Sequence, residues 1–167
     1  GANGAIAAQA GARAKPDGYT LILTGTNTHA IAPFIFKNLA FDPVKDFTPI
    51  TTIQKLAFAL AVNPQTPVKS VEELTAYLRK KGSASSYGSA ATASLAAGEL
   101  YKTQSRLDVL RVNYKSTPDA VRDLNAGLID FVFVDASYGL AQAREGKLRV
   151  LAVTSGKRIS AAPELPT

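Results

Sequence analysis

The chain alternates short runs of β-branched residues with amphipathic or Ala-rich stretches, and from Val62 onward the punctuation between them is regular. Such an alternation predicts βαβ units, hence an α/β fold with a mainly parallel sheet and helices on its faces. Ser70-Val71-Glu72-Glu73 is a capping box, in which the Ser side chain accepts from the third helical N–H while Glu73 reaches back. Val71, Leu74, Tyr77 and Leu78 then share one helical face, and Gly82 supplies the stop. Residues 85–87 read as a strand, 92–103 as a helix and 109–112 as the next strand. Thr117-Pro118-Asp119 opens a helix with a cap, an early proline and an acid in its first turn. Its buried face is Ala120, Val121 and Leu124, and Gly127 ends it. Phe131-Val132-Phe133-Val134 is apolar without a break, the mark of a strand covered on both faces. Ser137 is expected to cap the following helix, Gly146 to stop it, and residues 149–154 to form the last strand.

Ahead of this stretch, residues 3–14 are Ala-rich and predict a helix, Asp17-Gly18 a turn, residues 19–24 a strand and residues 29–36 a short helix. Residues 48–53 and 56–62 read as two strand-like runs with no helix between them, as if a long strand passed from one lobe to another. The expected division is 1–57 as part of a first lobe, 58–151 as a second α/β lobe and 152–167 as a return to the first. Two strands joining two α/β lobes describe a hinged binding protein. The first lobe has too few strands to close a sheet.

Composition narrows the chemistry. The 167 residues contain no Cys, no Met and a single His. Disulfides, thiolate zinc sites, cysteine nucleophiles and two-imidazole sites are therefore excluded. The missing Met leads us to expect a processed product or an internal fragment, with any export signal upstream. No stretch approaches the ~20 apolar residues of a membrane helix. The net charge of +6 comes from 19 basic and 13 acidic residues that are scattered along the chain. Its longest basic run, Arg79-Lys80-Lys81, falls at a helix C-terminus and complements the helix dipole, so no nucleic-acid partner is expected. No G-x-S-x-G elbow, phosphate-binding glycine loop, EF-hand spacing or aromatic–basic stacking platform is present, and no cofactor, metal or catalytic residue is expected.

Four expected strand ends run into helix starts through small or hydroxyl-bearing residues: Thr24-Gly25-Thr26-Asn27-Thr28-His29, Gly88-Ser89-Ala90-Ala91-Thr92, Asn113-Tyr114-Lys115-Ser116-Thr117 and Asp135-Ala136-Ser137. Ligands of open parallel sheets bind outside the carboxyl ends of the strands, and helix N-termini there suit a carboxylate or phosphate. Each loop also has a plain explanation, since Ser, Thr and Gly belong at helix starts. Lys115 can charge-pair with an anion or stand as an exposed loop lysine. Tyr114 can wall a ligand's apolar body or belong to the core. His29 can donate to a ligand oxygen or serve as a local cap. Asp135 can select an amine or hydroxyl or merely cap the next helix.

In their order and spacing these motifs resemble the extracytoplasmic solute-binding receptors of tripartite tricarboxylate transporters, the Bug family. The resemblance runs over the whole chain and rests on Gly1-Ala2-Asn3-Gly4 through Lys15-Pro16-Asp17-Gly18-Tyr19-Thr20-Leu21, Thr26-Asn27-Thr28-His29-Ala30, Asp42-Pro43-Val44-Lys45-Asp46-Phe47, Tyr87-Gly88-Ser89-Ala90, Ala97-Gly98-Glu99-Leu100 and Gly146-Lys147-Leu148-Arg149. It implies a two-lobed fold of the type II periplasmic-binding-protein kind, present here as an internal fragment. The implied protein is a non-enzymatic, monomeric periplasmic receptor that captures a small organic mono- or dicarboxylate and delivers it to membrane transporter subunits. Carried over by position, the ligand-binding candidates are Thr26, Asn27, Thr28 and His29 in the first lobe. In the second they are Gly88, Ser89, Ala90, Tyr114, Lys115, Ser116 and Asp135. The chain departs from the family at Asn3 and Ser116, where Gly is usual, and at Ala96, where His is usual; these changes bear on ligand identity more than on fold. The resemblance also places one wall of the first-lobe site outside the chain, so weak binding by these residues alone is expected. Two other classes fit the architecture: the effector domain of a transcription regulator, and an α/β enzyme whose catalytic residues lie outside these residues.

Overall fold

The computed structural model describes residues 4–53 and 55–167; the side chains of Asn27 and Ile35 lie outside that description. The chain divides into two units, Gly1–Ile53 and Gln54–Thr167. The second unit holds a five-stranded sheet of β1 (Phe58–Val62), β2 (Ser85–Ser89), β3 (Val109–Asn113), β4 (Phe131–Asp135) and β5 (Arg149–Val153), in the order β3-β2-β4-β1-β5. β2 runs parallel to β3 and β4, whereas β1 is antiparallel to both β4 and β5. The sheet is thus mainly parallel with one reversed strand, a detail that the apolar run of β1 alone does not encode. In the same chain order the helices of this unit run α3 (Val71–Lys81), α4 (Thr92–Gln104), α5 (Thr117–Asn125) and α6 (Ala136–Arg144). They follow α1 (Ala5–Ala12) and α2 (Ala32–Ile35) of the first unit.

The core has two sides because side chains alternate along a strand. Leu60 and Val62 of β1 and Phe131 and Phe133 of β4 join Leu74 and Leu78 of α3 and Tyr87 in one cluster. Their neighbours Ala59, Ala61, Val132 and Val134 join Ala120, Val121 and Leu124 of α5 and Ala136 of α6 in the other. Helices therefore cover both faces, α3 and α4 on one and α5 and α6 on the opposite one. Each large side chain buried this way contributes about 1.5–3 kcal/mol. At the amino end of the sheet the buried carboxylate of Asp130 accepts from the Ser86 N–H at 2.8 Å and from Lys81 Nζ at 2.6 Å.

The helix signals hold with small shifts. Ser70 Oγ accepts from the Glu73 N–H, and Glu73 reaches back to the N–H of Lys69 at 2.6 Å. Gly82, Gly127 and Gly146 take positive φ beyond their helices, as stop signals do. The cap of α5 is Ser116 rather than Thr117, and that of α6 is Asp135 rather than Ser137. In both cases the residue one or two places upstream has a non-helical backbone, from which its side-chain oxygen reaches the first free N–H groups.

In the first unit α1 packs its Gly11 against the Ile22 side chain, which leaves no room there for a Cβ. The rings of His29, Phe41 and Phe47 cluster, with His29 and Phe47 centroids 4.6 Å apart. Residues 19–24 and 48–53 form no strand, contrary to the sequence expectation. A strand exists only where a neighbour pairs its N–H and C=O groups, and no ladder forms among the described residues of this unit. Leu21, Leu23, Ile50 and Ile53 are accordingly exposed. Residues 154–167 pack with the second unit, where the Val153 N–H donates to Pro166 O at 2.9 Å and Ala162 is buried.

Candidate functional site

From β2 the chain crosses through α4 to β3 on one side, then returns through α5 to β4 on the other. β2 is therefore the strand at which the winding reverses, and the crevice beyond its carboxyl end is where such sheets bind ligands. The residues there are Gly88, Ser89 and Ala90. Register places Ser89 beside Asn113 and Gly88 between Val112 and Val132. The neighbouring strands thus bring the loops at 113–116 and 135–137 to the same edge. Of the sequence-predicted residues, Gly88, Ser89, Ala90, Tyr114, Lys115, Ser116 and Asp135 share this edge, which is also the edge that holds the starts of α4, α5 and α6.

The three helix starts differ. Ser116 Oγ accepts from the Asp119 N–H and donates to Asp119 Oδ2 at 2.6 Å. Asp135 Oδ1 accepts from the N–H groups of Ser137 and Tyr138 and from the Ser137 hydroxyl. Ala91, in contrast, gives α4 no capping side chain. Ser94 Oγ instead accepts from the Ala91 N–H at 3.0 Å and donates to Ala91 O at 2.7 Å, which ties the β2–α4 loop to the first turn. The positive end of the α4 dipole thus meets the crevice beside Ser89 without an acidic cap to satisfy it.

Gly88 is obligatory for space: a Cβ there would lie 2.7 Å from Ile129 and 3.1 Å from the Tyr114 ring. Tyr114 packs behind Gly88, and its hydroxyl donates to Asp123 Oδ2 at 3.0 Å. Burial, helped by the Asp123 carboxylate, pushes this phenol up to about 12. It therefore stays a neutral donor and props the site from below. Lys115 is exposed at the rim with no ion pair among the described residues. Ser89 is almost fully buried, and its hydroxyl leans towards Asn113 Oδ1 at 3.4 Å.

In the first unit the Thr28 and His29 N–H groups donate to Gly25 O, which closes the 24–29 segment on itself. His29 Nδ1 pairs with Thr24 Oγ1 at 2.8 Å. Thr28 is buried and Thr26 exposed, while the Asn27 side chain lies outside the described residues. Sequence reasoning did not single out Asn113, Ser94, Glu99 or Asp123. Ser94 was detectable as a hydroxyl at the third helical position, the place from which a capping box's Glu or Gln reaches back to the N-cap N–H; the others act through contacts between distant elements. Among the described residues no three His, Cys, Asp or Glu side chains gather as a metal site, and no helix is long and apolar enough to cross a membrane.

Residues 1–167 match the sequence profile of the tripartite tricarboxylate transporter family receptors, TctC. The chain belongs to this family. Its fold is accordingly that of the type II periplasmic binding proteins. A Rhodopseudomonas palustris protein solved with adipate is 32% identical, with a TM-score of 0.86 over all of this chain and 56% of that one. The periplasmic binding protein BugD is 30% identical, with a TM-score of 0.81 over all of this chain and 56% of its own. MatC from the same Rhodopseudomonas species, solved with bound malate, is 30% identical with a TM-score of 0.78, again over all of this chain and 57% of that one. The chain spans about half the length of the curated relatives it matches. The family is one of solute-binding receptors, not enzymes, and its solved members include carboxylate complexes.

Proposed function

We propose that the intact protein is a periplasmic receptor that captures a small organic mono- or dicarboxylate and delivers it, as a monomer, to the membrane subunits of a tripartite transporter. The observation that carries this reading is the carboxyl edge of β2, where Ala91 gives α4 no capping side chain and an exposed lysine stands at the rim. A ligand carboxylate supplies the negative charge that this helix start otherwise lacks. Gly88, Ser89 and Ala90, as small residues, would leave it room to approach the helix start, and Lys115 and Ser116 would hold a second polar group. Asp135, whose Oδ1 serves the cap of α6, would accept from a ligand hydroxyl through Oδ2. Thr26, Asn27, Thr28 and His29 belong to the same proposal as the first lobe's share, with 1–57 and 152–167 as parts of the first lobe and 58–151 as the second. Relatives with adipate and malate support a carboxylate of this size.

A thermal-shift screen of the intact protein against mono-, di- and tricarboxylates, with amides and sugars as controls, tests the proposal. Ligand at about a hundred times its Kd stabilises by about 2.7 kcal/mol, so one class of acid is expected to raise the unfolding temperature saturably. Ser89→Leu fills the crevice and should abolish that rise while the protein stays folded. A flat response of folded protein to every acid contradicts the proposal.

A further inference from the structure

Tyr87 heads the large side chains with no solvent exposure. Its ring stacks on Phe131, with centroids 5.3 Å apart and planes 15° from parallel, and its hydroxyl donates to Glu99 Oε1 at 2.7 Å. The residue before Glu99 along α4 is a glycine for want of room: a Cβ on Gly98 would fall 2.2 Å from the Tyr87 ring. Helix α4 therefore meets β2 through a gap that admits the ring and a carboxylate that grips its hydroxyl. The Tyr87 backbone is itself locked in the ladder between Arg111 and Phe131. Together these contacts fix α4 both along and around its axis, roughly two turns from its start.

That seat matters because of what stands at the other end of the helix. The starts of α5 and α6 are oriented by their own capping oxygens, Ser116 and Asp135. Ala91 gives α4 no such device, and Ser94 ties only the loop at Ala90 and Ala91 to the first turn, so the direction of the whole helix depends on how it is seated. A binding constellation has to be held within about 0.5 Å of its productive geometry. We propose that Tyr87 and Glu99 are positioning residues for the carboxylate site, setting the register of α4 so that its N-terminus faces the crevice beyond Ser89. This rests on the receptor reading above. Glu99 is only half-buried, so a carboxylate released from Tyr87 is rehydrated, and the pair's effect falls on placement more than on global stability.

The test uses the intact protein and calorimetric titration with four probes: acetate, adipate, malate and citrate. For the acid that binds the unsubstituted protein most tightly, Tyr87→Phe keeps the stacked ring and should weaken affinity about tenfold, the net worth of one charge-assisted hydrogen bond. Glu99→Leu should do the same. Glu99→Gln retains an oxygen to accept from Tyr87 and should stay within about twofold of the parent affinity. The ligand-free unfolding midpoint of Tyr87→Phe should stay near the parent's, whereas Glu99→Leu, which leaves the buried Tyr87 hydroxyl without its acceptor, should lower it. Parent-like affinity in both Tyr87→Phe and Glu99→Leu overturns the inference alone. Affinity that falls only in step with the unfolding midpoint, without recovery in Glu99→Gln, also overturns it by reducing the pair to fold stability. Failure of the unsubstituted protein to bind any probe overturns the carboxylate reading and takes this inference with it.

Discussion

Ser116 serves two ends at once, capping α5 through the Asp119 N–H and donating its hydroxyl to the Asp119 carboxylate. That donation, followed by the charge of Arg122, holds the Asp119 carboxyl below its usual 3.8. A carboxyl depressed in the folded state contributes stability that is complete above pH 3.8 and is lost as pH falls through the lower folded value. Ser116→Ala should therefore cost about 1 kcal/mol for the cap at neutral pH. The gap from the parent protein should narrow as pH drops below 3.8. Urea unfolding at neutral and acid pH checks this; a gap that widens in acid contradicts it. The Asx and Ser caps were legible in sequence as residue types, but their positions were read one or two places late. Cap identity depends on which backbone turns out of the helix, and Ser116-Thr117 and Asp135-Ala136-Ser137 each offer two suitable oxygens.

At the scale of elements, α3 to α6 and all five strands of the second unit were visible because their signals are local: caps, glycine stops and apolar runs. The strand at 131–134 was plain from its unbroken apolar character. The reversal of β1 was not, since strand direction is set by which neighbours pair, not by the strand's own residues. The same reason explains the failure at 19–24 and 48–53, where the right residue types lack a ladder partner among the described residues. Between elements, the Lys81–Asp130–Ser86 contact joins the end of α3 to two strands at the edge away from the site. Asp130 has a side chain only 6% exposed, whereas Lys81 at 34% can reach water if released. Asp130→Ala leaves the buried Ser86 N–H without its acceptor and should lower stability by about 1–3 kcal/mol. Asp130→Asn, which keeps an oxygen there, should lose less. An unchanged urea midpoint in Asp130→Ala contradicts this account of the amino edge.

For the whole molecule, the class of fold and the second unit's share of the candidate site were legible because both follow from strand–loop–helix order. Parallel strands bring their carboxyl ends to one edge, so residues as far apart as Ser89 and Asp135 come to the same edge without any local signal linking them. What sequence order could not supply was the support behind that edge: Tyr114 tied to Asp123, and Tyr87 tied to Glu99. Each joins residues 9 or 12 positions apart across a strand and a helix. The opposite edge offers a second hollow, lined by Asn63, Gln65, Asn125 and Lys147. There Asn63 already donates to Leu124 O and Asn125 O, and Lys147 pairs with Glu145. The central claim is that a small carboxylate binds beyond the carboxyl end of β2, and it is tested most directly by titrating the isotope-labelled intact protein with adipate while following backbone amide shifts. The account predicts saturable shifts at the amides of residues 88–91, 113–116 and 135–137, with residues 63–65 and 145–147 unmoved. Shifts confined to the 63–65 and 145–147 edge, or no shift with any carboxylate of the panel, would contradict it.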